Sequence, residues 1–340
     1  MPIQKIEPHT AVPANPAERD RVTILTLRSM KEKGIPVAAL SIYDYPFARL
    51  AAKAGVDMII VGDSLGMTVL GYQNTLPVTM EEMMMFIGAA TRGAGPMFVV
   101  GDMPLGAYQS SDAQGVDSAV RFIKGGCTAV KCEASMRLIS RVEAIANAEI
   151  LVMGHIGLNP QKIHEMGGHR IQGKTYESTK ELLRTAKALE NAGAFALLLE
   201  GVTEEASGLI REELKIPVYG IASGRNLDGQ LLIGHDPLGL YDWGKRPVPK
   251  YIKQYRPEVG GKTIGDLALD GFINYVQEVK AKRFPSDEHV HHLNLEDFRK
   301  EGKDHKESVA LLARLVKHAN GHVPAVKIGA KKPARNGSRK

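Results

Sequence analysis

The chain has 340 residues, 44% of them apolar, enough for one large α/β domain or two smaller ones with a substantial core. No apolar run approaches the roughly 20 residues that span a bilayer, and no charged segment followed by an apolar stretch marks a signal peptide. The net charge of +6 belongs to residues 325–340, which hold six Lys or Arg and no acid; the remainder balances at 38 basic against 38 acidic, so no membrane and no nucleic-acid partner is expected.

In chain order, residues 1–20 are Pro-rich and polar and read as an N-terminal arm. Residues 23–33 read as a helix, stopped by Gly34 and Pro36. From there strand and helix patterns alternate. Short apolar runs predict eight strands, near 37–42, 58–61, 98–101, 129–132, 150–153, 196–199, 217–220 and 231–234. Thr79-Met-Glu-Glu82, Ser111-Asp-Ala-Gln114 and Ser178-Thr-Lys-Glu181 read as capping boxes, in which the first side chain bonds a free N–H and the third residue on reaches back. Gly93, Gly125 and Gly193 stand where helices should end.

Two connections are long and contain glycine, 66–77 and 157–174, and are expected to cover the mouth of the domain as lids. Gly167 and Gly168 in the second suit a hinge. Residues 263–284 and 304–320 form two further amphipathic helical patterns, expected to pack outside the barrel or on a neighbouring subunit. The segment 323–340 is basic, has no periodicity and reads as disordered. The expected organisation is an arm over 1–20, a catalytic barrel over 21–262, C-terminal helices over 263–322 and a tail over 323–340.

Eight strands alternating with helices over roughly 200 residues predict an α/β fold of the (β/α)8 TIM-barrel class. A doubly wound open sheet is the alternative. The scatter of polar residues favours the barrel, because they follow six or more strands instead of clustering at one switch point. Cys127 and Cys132 lie five apart, one before and one within a predicted strand, so no disulfide is expected. Two free thiols without metal spacing fit a reducing cytoplasm.

Charged residues sit at the ends of the apolar runs. Asp63 and Asp102 end two consecutive strands and suit a hard divalent cation such as Mg²⁺, which takes one or two carboxylates and completes its octahedron with water and substrate. Glu133 can accept a hydrogen bond from a metal-bound water or ligate directly. A helix N-cap is the competing role for any one such aspartate. Lys131 and Glu133 share a strand face, with Cys132 turned to the other side. Lys131, Ser64 and His155 can together hold a substrate carboxylate, and an ion pair with Glu133 is the other use for Lys131. Glu200 ends an all-apolar run, where burial raises a carboxyl pKa toward that of a general base working near neutrality. Gly220-Ile-Ala-Ser-Gly224 reads as a tight turn, His289-Val-His-His292 as a surface turn, and Met83–Met85 as core or interface.

These residues resemble the ketopantoate hydroxymethyltransferase family. The resemblance rests on Tyr43-Asp-Tyr45, VGDSLGMTVLGYQNTLPVT at 61–79, GDMP at 101–104, Lys131-Cys-Glu133, GHIGLNPQ at 154–161, GGHRIQG at 167–173, LLLEGV at 197–202 and DGQLLIGHDPLGL at 228–240. It implies a (β/α)8 barrel, often a decamer, that uses 5,10-methylenetetrahydrofolate. It implies Mg²⁺ on Asp63 and Asp102 with Glu133 in the same site. Ser64, Asp102 and Lys131 would hold the 2-oxo acid, His155 would lie near its carboxylate, and Glu200 would be the proton acceptor. The implied reaction makes ketopantoate from 3-methyl-2-oxobutanoate through a Mg²⁺-stabilised enolate. A Mg²⁺-dependent aldolase or carbon–carbon lyase on a related 2-oxo acid is the competing enzyme, and a barrel kept only as a scaffold the non-enzymatic one. Three departures alter the rim: Ala134-Ser135 where the family has Gly-Gly, Ala222-Ser223 where it has Gly-Ala, and Leu105 where it has Phe.

Overall fold

Eight strands pair in sequence order, all parallel, and the last returns to the first, so the sheet closes and the open-sheet alternative falls. They are β1 (Val37–Ser41), β2 (Met58–Val61), β3 (Phe98–Asp102), β4 (Ala129–Glu133), β5 (Val152–Gly157), β6 (Ala196–Glu200), β7 (Val218–Ile221) and β8 (Gly229–Ile233). The computed structural model describes residues 19–255 and 264–294, and positions 310, 311, 314 and 315. The expected arm, apart from residues 19 and 20, and the tail lie outside the described residues, as does most of the helix expected over 304–320. Leu315 of that segment is buried against Tyr176, Leu209 and Leu293.

The helices are α1 (Ile24–Glu32), α2 (Tyr45–Ala54), α3 (Leu65–Thr68), α4 (Met80–Gly93), α5 (Asp112–Lys124), α6 (Ile139–Asn147), α7 (Ile163–Met166), α8 (Tyr176–Asn191), α9 (Glu204–Glu213) and α10 (Ile264–Lys280). The β7–β8 connection carries no helix. The helix expected over 263–284 is α10, which lies against β1 and α2 as the outer helix after β8. Its Tyr275 hydroxyl donates to the Ala39 and Gln230 carbonyls at 3.0 and 2.8 Å.

Two apolar layers follow from strand alternation. Inward residues such as Met58, Ile60, Phe98, Val100, Met153, Leu198 and Tyr219 fill the barrel, and Val22, Leu27 and Met30 plug its N-terminal end. Outward residues such as Ile59, Val61, Val99, Val130, Cys132 and Leu197 meet the helices. Cys127 and Cys132 are free and buried.

Of the three expected capping boxes, the one at Thr79 is complete. Ser111 caps α5, but the Gln114 amide turns to Ser110 and Gly106. The box expected at Ser178 is displaced: α8 begins three residues earlier under Thr175, and Ser178 instead accepts from Gly173 N at 3.0 Å. The fifth strand runs to Gly157, past the predicted 150–153, because pairing with β4 continues to His155 and pairing with β6 to Gly157.

The N-terminal end of the barrel is held by two carboxylates. Asp57 accepts the Ala38 N–H and pairs with Arg19 at 3.0 Å and Lys280 at 2.7 Å. Asp228 accepts the Val218 N–H and pairs with Lys31 at 2.7 Å and Arg211 at 2.8 Å.

Candidate active site

The opposite, C-terminal end gathers the charged residues. Asp102 ends β3, Lys131 and Glu133 lie on β4, His155 on β5 and Glu200 at the end of β6. All but Glu200 are almost fully buried, and the Glu200 side chain is 23% exposed. Because neighbouring strands lie ~4.8 Å apart, side chains from successive strands meet across the mouth. Lys131 Nζ stands 2.8 Å from Asp102 Oδ1 and 3.1 Å from His155 Nδ1. His155 Nε2 in turn stands 3.3 Å from Glu200 Oε2. Lys131 thus pairs with Asp102, not with Glu133. These contacts make one row, Asp102–Lys131–His155–Glu200, over four consecutive strands.

Asp63 and Ser64 follow β2. The Asp63 N–H donates to Asp102 Oδ2 at 3.1 Å, and Ser64 Oγ is 2.8 Å from the Tyr43 hydroxyl. Gly62 leaves the room between them: a Cβ there would stand 3.0 Å from Ser64 Oγ and 3.6 Å from Asp102 Oδ2. The structure therefore brings all seven predicted site residues, Asp63 and Ser64 after β2 and the other five on β3 to β6, to one rim.

Burial raises the Asp63 carboxyl to about 8, with Asp102 pushing the same way and Lys131 and Gln161 opposing. Burial, then Asp63, also lifts Glu133 well above the carboxylate range. Lys131 stays charged, since Asp102, Asp63 and Glu133 outweigh its own desolvation. His155 is held neutral by burial and by Lys131. With Nδ1 accepting from Lys131, the ring hydrogen is assigned to Nε2, facing Glu200. Burial raises Glu200 to about 7, against Lys131 and His169.

Three buried carboxylates against one ammonium leave an excess of negative charge, which must be met by protons or a cation. Among the described residues no group of three or more His, Cys, Asp or Glu forms a ready cage. A donor set of two neighbouring aspartates, with a third acid behind, fits Mg²⁺, which keeps water and substrate oxygens for its other positions.

Gln161 is a residue that sequence patterning does not single out. Its Nε2 donates to Asp63 Oδ2 at 2.9 Å and to the Met103 carbonyl at 3.0 Å. Its N–H meets both Glu133 oxygens at 3.2 Å, and its Oε1 accepts from the Tyr108 hydroxyl at 3.2 Å. The 157–174 connection is therefore pinned at its start by Gln161 and at its end by Gln172 and Gly173, bonded to Gly201 and Thr203. Gly167 and Gly168, both at positive φ, lie between the two anchors.

Two turns differ from expectation or from the family pattern. His289 is buried and packs edge-on to Phe284, and His292 Nδ1 stands 2.9 Å from Glu205, so 289–292 docks on α9 and is no surface turn. The two acids at the start of α9 draw it in, a contact beyond sequence spacing. Ala222 adopts φ 54, a left-handed conformation disfavoured by its Cβ. Ser223 beside it is well used: its Oγ lies 2.9 Å from the Leu199 carbonyl and accepts from Val202 N at 3.2 Å, which ties the β7 turn to the strand end bearing Glu200.

The sequence pattern of ketopantoate hydroxymethyltransferase matches residues 21–287. A Carboxydothermus hydrogenoformans protein named 3-methyl-2-oxobutanoate hydroxymethyltransferase is 45% identical over 271 residues, 79% of this chain and 95% of that one. A Bacillus cereus protein of the same name is 44% identical over 269 residues, 79% of this chain and 94% of that one. Among solved structures, a phosphonopyruvate hydrolase superposes with TM-score 0.50 at 13% identity, covering 63% of this chain and 80% of that one. A Burkholderia cenocepacia protein described as a phosphonomutase gives 0.51 at 15%, covering 64% and 95%. At such identities the structural likeness concerns the barrel alone.

Proposed function

This chain belongs to the ketopantoate hydroxymethyltransferase family, and on that premise we propose that it transfers a hydroxymethyl group from 5,10-methylenetetrahydrofolate to 3-methyl-2-oxobutanoate, giving 2-dehydropantoate in pantothenate biosynthesis. The observation that carries this reading is the row ending in Glu200. A carboxylate raised to about 7 beside a neutral imidazole is a base matched to neutral pH.

Asp63 and Asp102 would hold Mg²⁺, with Glu133 behind them. When bound, the metal supplies Lewis-acid polarisation of the 2-oxo acid. Lys131 offers a fixed positive charge to the substrate carboxylate, and Ser64 offers a hydroxyl. His155, neutral, lies beside the substrate carboxylate and turns its Nε2 hydrogen to Glu200. Glu200 takes the single C3 proton of the oxo acid. The carbon so activated gains the methylene unit of the folate. That unit and water together furnish the hydroxymethyl group, and tetrahydrofolate leaves. Two buried free thiols support a reducing, cytoplasmic setting. A homo-oligomer belongs to the same reading, as the resemblance to the family implies.

The test is exchange of the C3 proton of 3-methyl-2-oxobutanoate in D₂O, followed by NMR, with Mg²⁺ and then with methylenetetrahydrofolate. Mg²⁺-dependent exchange followed by conversion is the expected result. Exchange without conversion points to an aldolase-like acceptor, and no exchange with any divalent metal overturns the proposal.

A further inference from the structure

Asp236, just past β8, is 1% exposed, and neither carboxylate oxygen has a hydrogen-bond partner among the described residues. Only its backbone is engaged, with its N–H on the Ile233 carbonyl at 2.9 Å and its carbonyl taking Gly239 N at 3.0 Å. Burying an unpartnered carboxylate costs several kcal/mol, so native structures seldom keep one without a use. No role described above for the oxo acid or the metal employs it.

Its position is informative. The neighbouring His235 ring stacks on Tyr43 at 5.5 Å between centroids, and the Tyr43 hydroxyl is the group 2.8 Å from Ser64 Oγ. Phe47 lies 5.6 Å from the same imidazole. Tyr251 is close enough to feel both Asp236 and Glu200, and Tyr43 both Asp236 and Asp63. Asp236 thus occupies the β8–β1 sector of the mouth, between the base on one side and Ser64 on the other. The row from β3 to β6 leaves that sector without charge. The stretch after Asp236 carries no helix or strand up to Tyr255, and its Tyr251 lies near Asp236.

We propose that Asp236 anchors the pterin ring of the folate co-substrate, its two free oxygens receiving the ring's N3–H and 2-amino hydrogens. This inference rests on the folate reading above. Those two donors lie side by side in one plane, as in a guanidinium, and match a carboxylate in bidentate fashion. The flat ring suits the Tyr43–His235–Phe47 wall. Burial raises Asp236 to about 7, so near neutrality a donor pair draws out the ionised form. Because Asp236 is 1% exposed, neighbouring side chains must move for the ring to enter.

The test compares the wild type with Asp236→Asn and Asp236→Ala. The expected result is a rise in KM for methylenetetrahydrofolate of about 10- to 100-fold, the loss typical of a charge-assisted bidentate contact. Mg²⁺-dependent C3–H exchange, which needs no folate, should stay within about twofold for Asp236→Asn. Tetrahydrofolate binding by calorimetry should weaken in parallel, while an analogue lacking the 2-amino group should bind the wild type as weakly as it binds Asp236→Asn. The Asn variant should melt no lower than the wild type, since it removes an unpartnered charge. Unchanged folate KM and binding in a variant of an enzyme that uses folate would overturn this inference alone. An equal loss of exchange, or a large fall in melting temperature, would also overturn it. A wild type that forms product from formaldehyde but not from methylenetetrahydrofolate would overturn both this inference and the folate reading.

Discussion

His155 Nε2 stands 3.3 Å from Glu200 Oε2 while its Nδ1 faces Lys131 Nζ at 3.1 Å. One neutral ring therefore separates the fixed charge of Lys131 from the proposed base, and each is held on its own strand. The base can change charge without losing a strong ion pair, which is what proton transfer at constant geometry requires.

Glu200→Gln should lower C3–H exchange and turnover by about 10²- to 10⁴-fold while oxo-acid and Mg²⁺ binding change little. Loss of both bindings, measured by calorimetry, would mean that Glu200 is structural. The pH profile carries the same information. A base raised to about 7 is competent only when ionised, so the exchange rate should fall as pH drops through that value and level off above it. A rate that falls on raising the pH through 7 would exclude Glu200 as the base.

Asp63→Asn should weaken Mg²⁺ or Mn²⁺ binding by at least about 100-fold, more than the usual loss from a supporting contact. The carboxyl, lifted to about 8, must shed its proton to ligate, so the metal-induced rise in wild-type melting temperature should be larger at pH 8.5 than at pH 6.5. Metal affinity unchanged in the variant would remove Asp63 from the ligand set.

Gln161→Ala leaves Asp63 Oδ2, the Met103 carbonyl and the Tyr108 hydroxyl each short of one partner. A destabilisation of about 1–3 kcal/mol follows from buried groups left unpaired. The 157–174 connection also loses a tie to the metal side, so KM for the oxo acid should rise more than kcat falls. Equal melting temperatures and equal KM would show that water replaces the amide without cost.

Ala222→Gly should stabilise the protein. The left-handed backbone at φ 54 costs alanine ~1–2 kcal/mol, and glycine gives back ~0.4–1 kcal/mol in the unfolded chain. A net gain of about 0.5 kcal/mol is expected in thermal or denaturant melting. A loss would mean that the Ala222 methyl contributes more packing than its backbone costs.

Much of this site was legible because a charge after an apolar run is visible without a structure. Asp63, Asp102, Lys131, Glu133 and Glu200 all carry that signal. His155 reads from the sequence as following the strand at 150–153 and lies within it, because pairing with β4 and β6 carries β5 on past Met153. Gln161 gives no such signal: an uncharged amide in a loop matters only once the chain folds it against Asp63, 98 residues away. Asp236 follows an apolar run no more closely than a turn residue would, and its burial and its nearness to Tyr43 and Tyr251 appear only in the folded chain. Thr175 outcompeted Ser178 as the α8 cap because the Gly173 N–H claimed the serine hydroxyl.

Asp57 binds Arg19, near one end of the described chain, and Lys280, at the end of α10, with its two oxygens. Two segments far apart in sequence therefore converge beneath the barrel, through the tips of two long side chains on a single carboxylate. In topological terms the catalytic unit is close to a ring, and its sequence start is arbitrary. A circular permutant with a short linker from the region after Lys280 to Arg19, opened at an exposed loop far from β2 to β6, would keep every strand neighbour it has now.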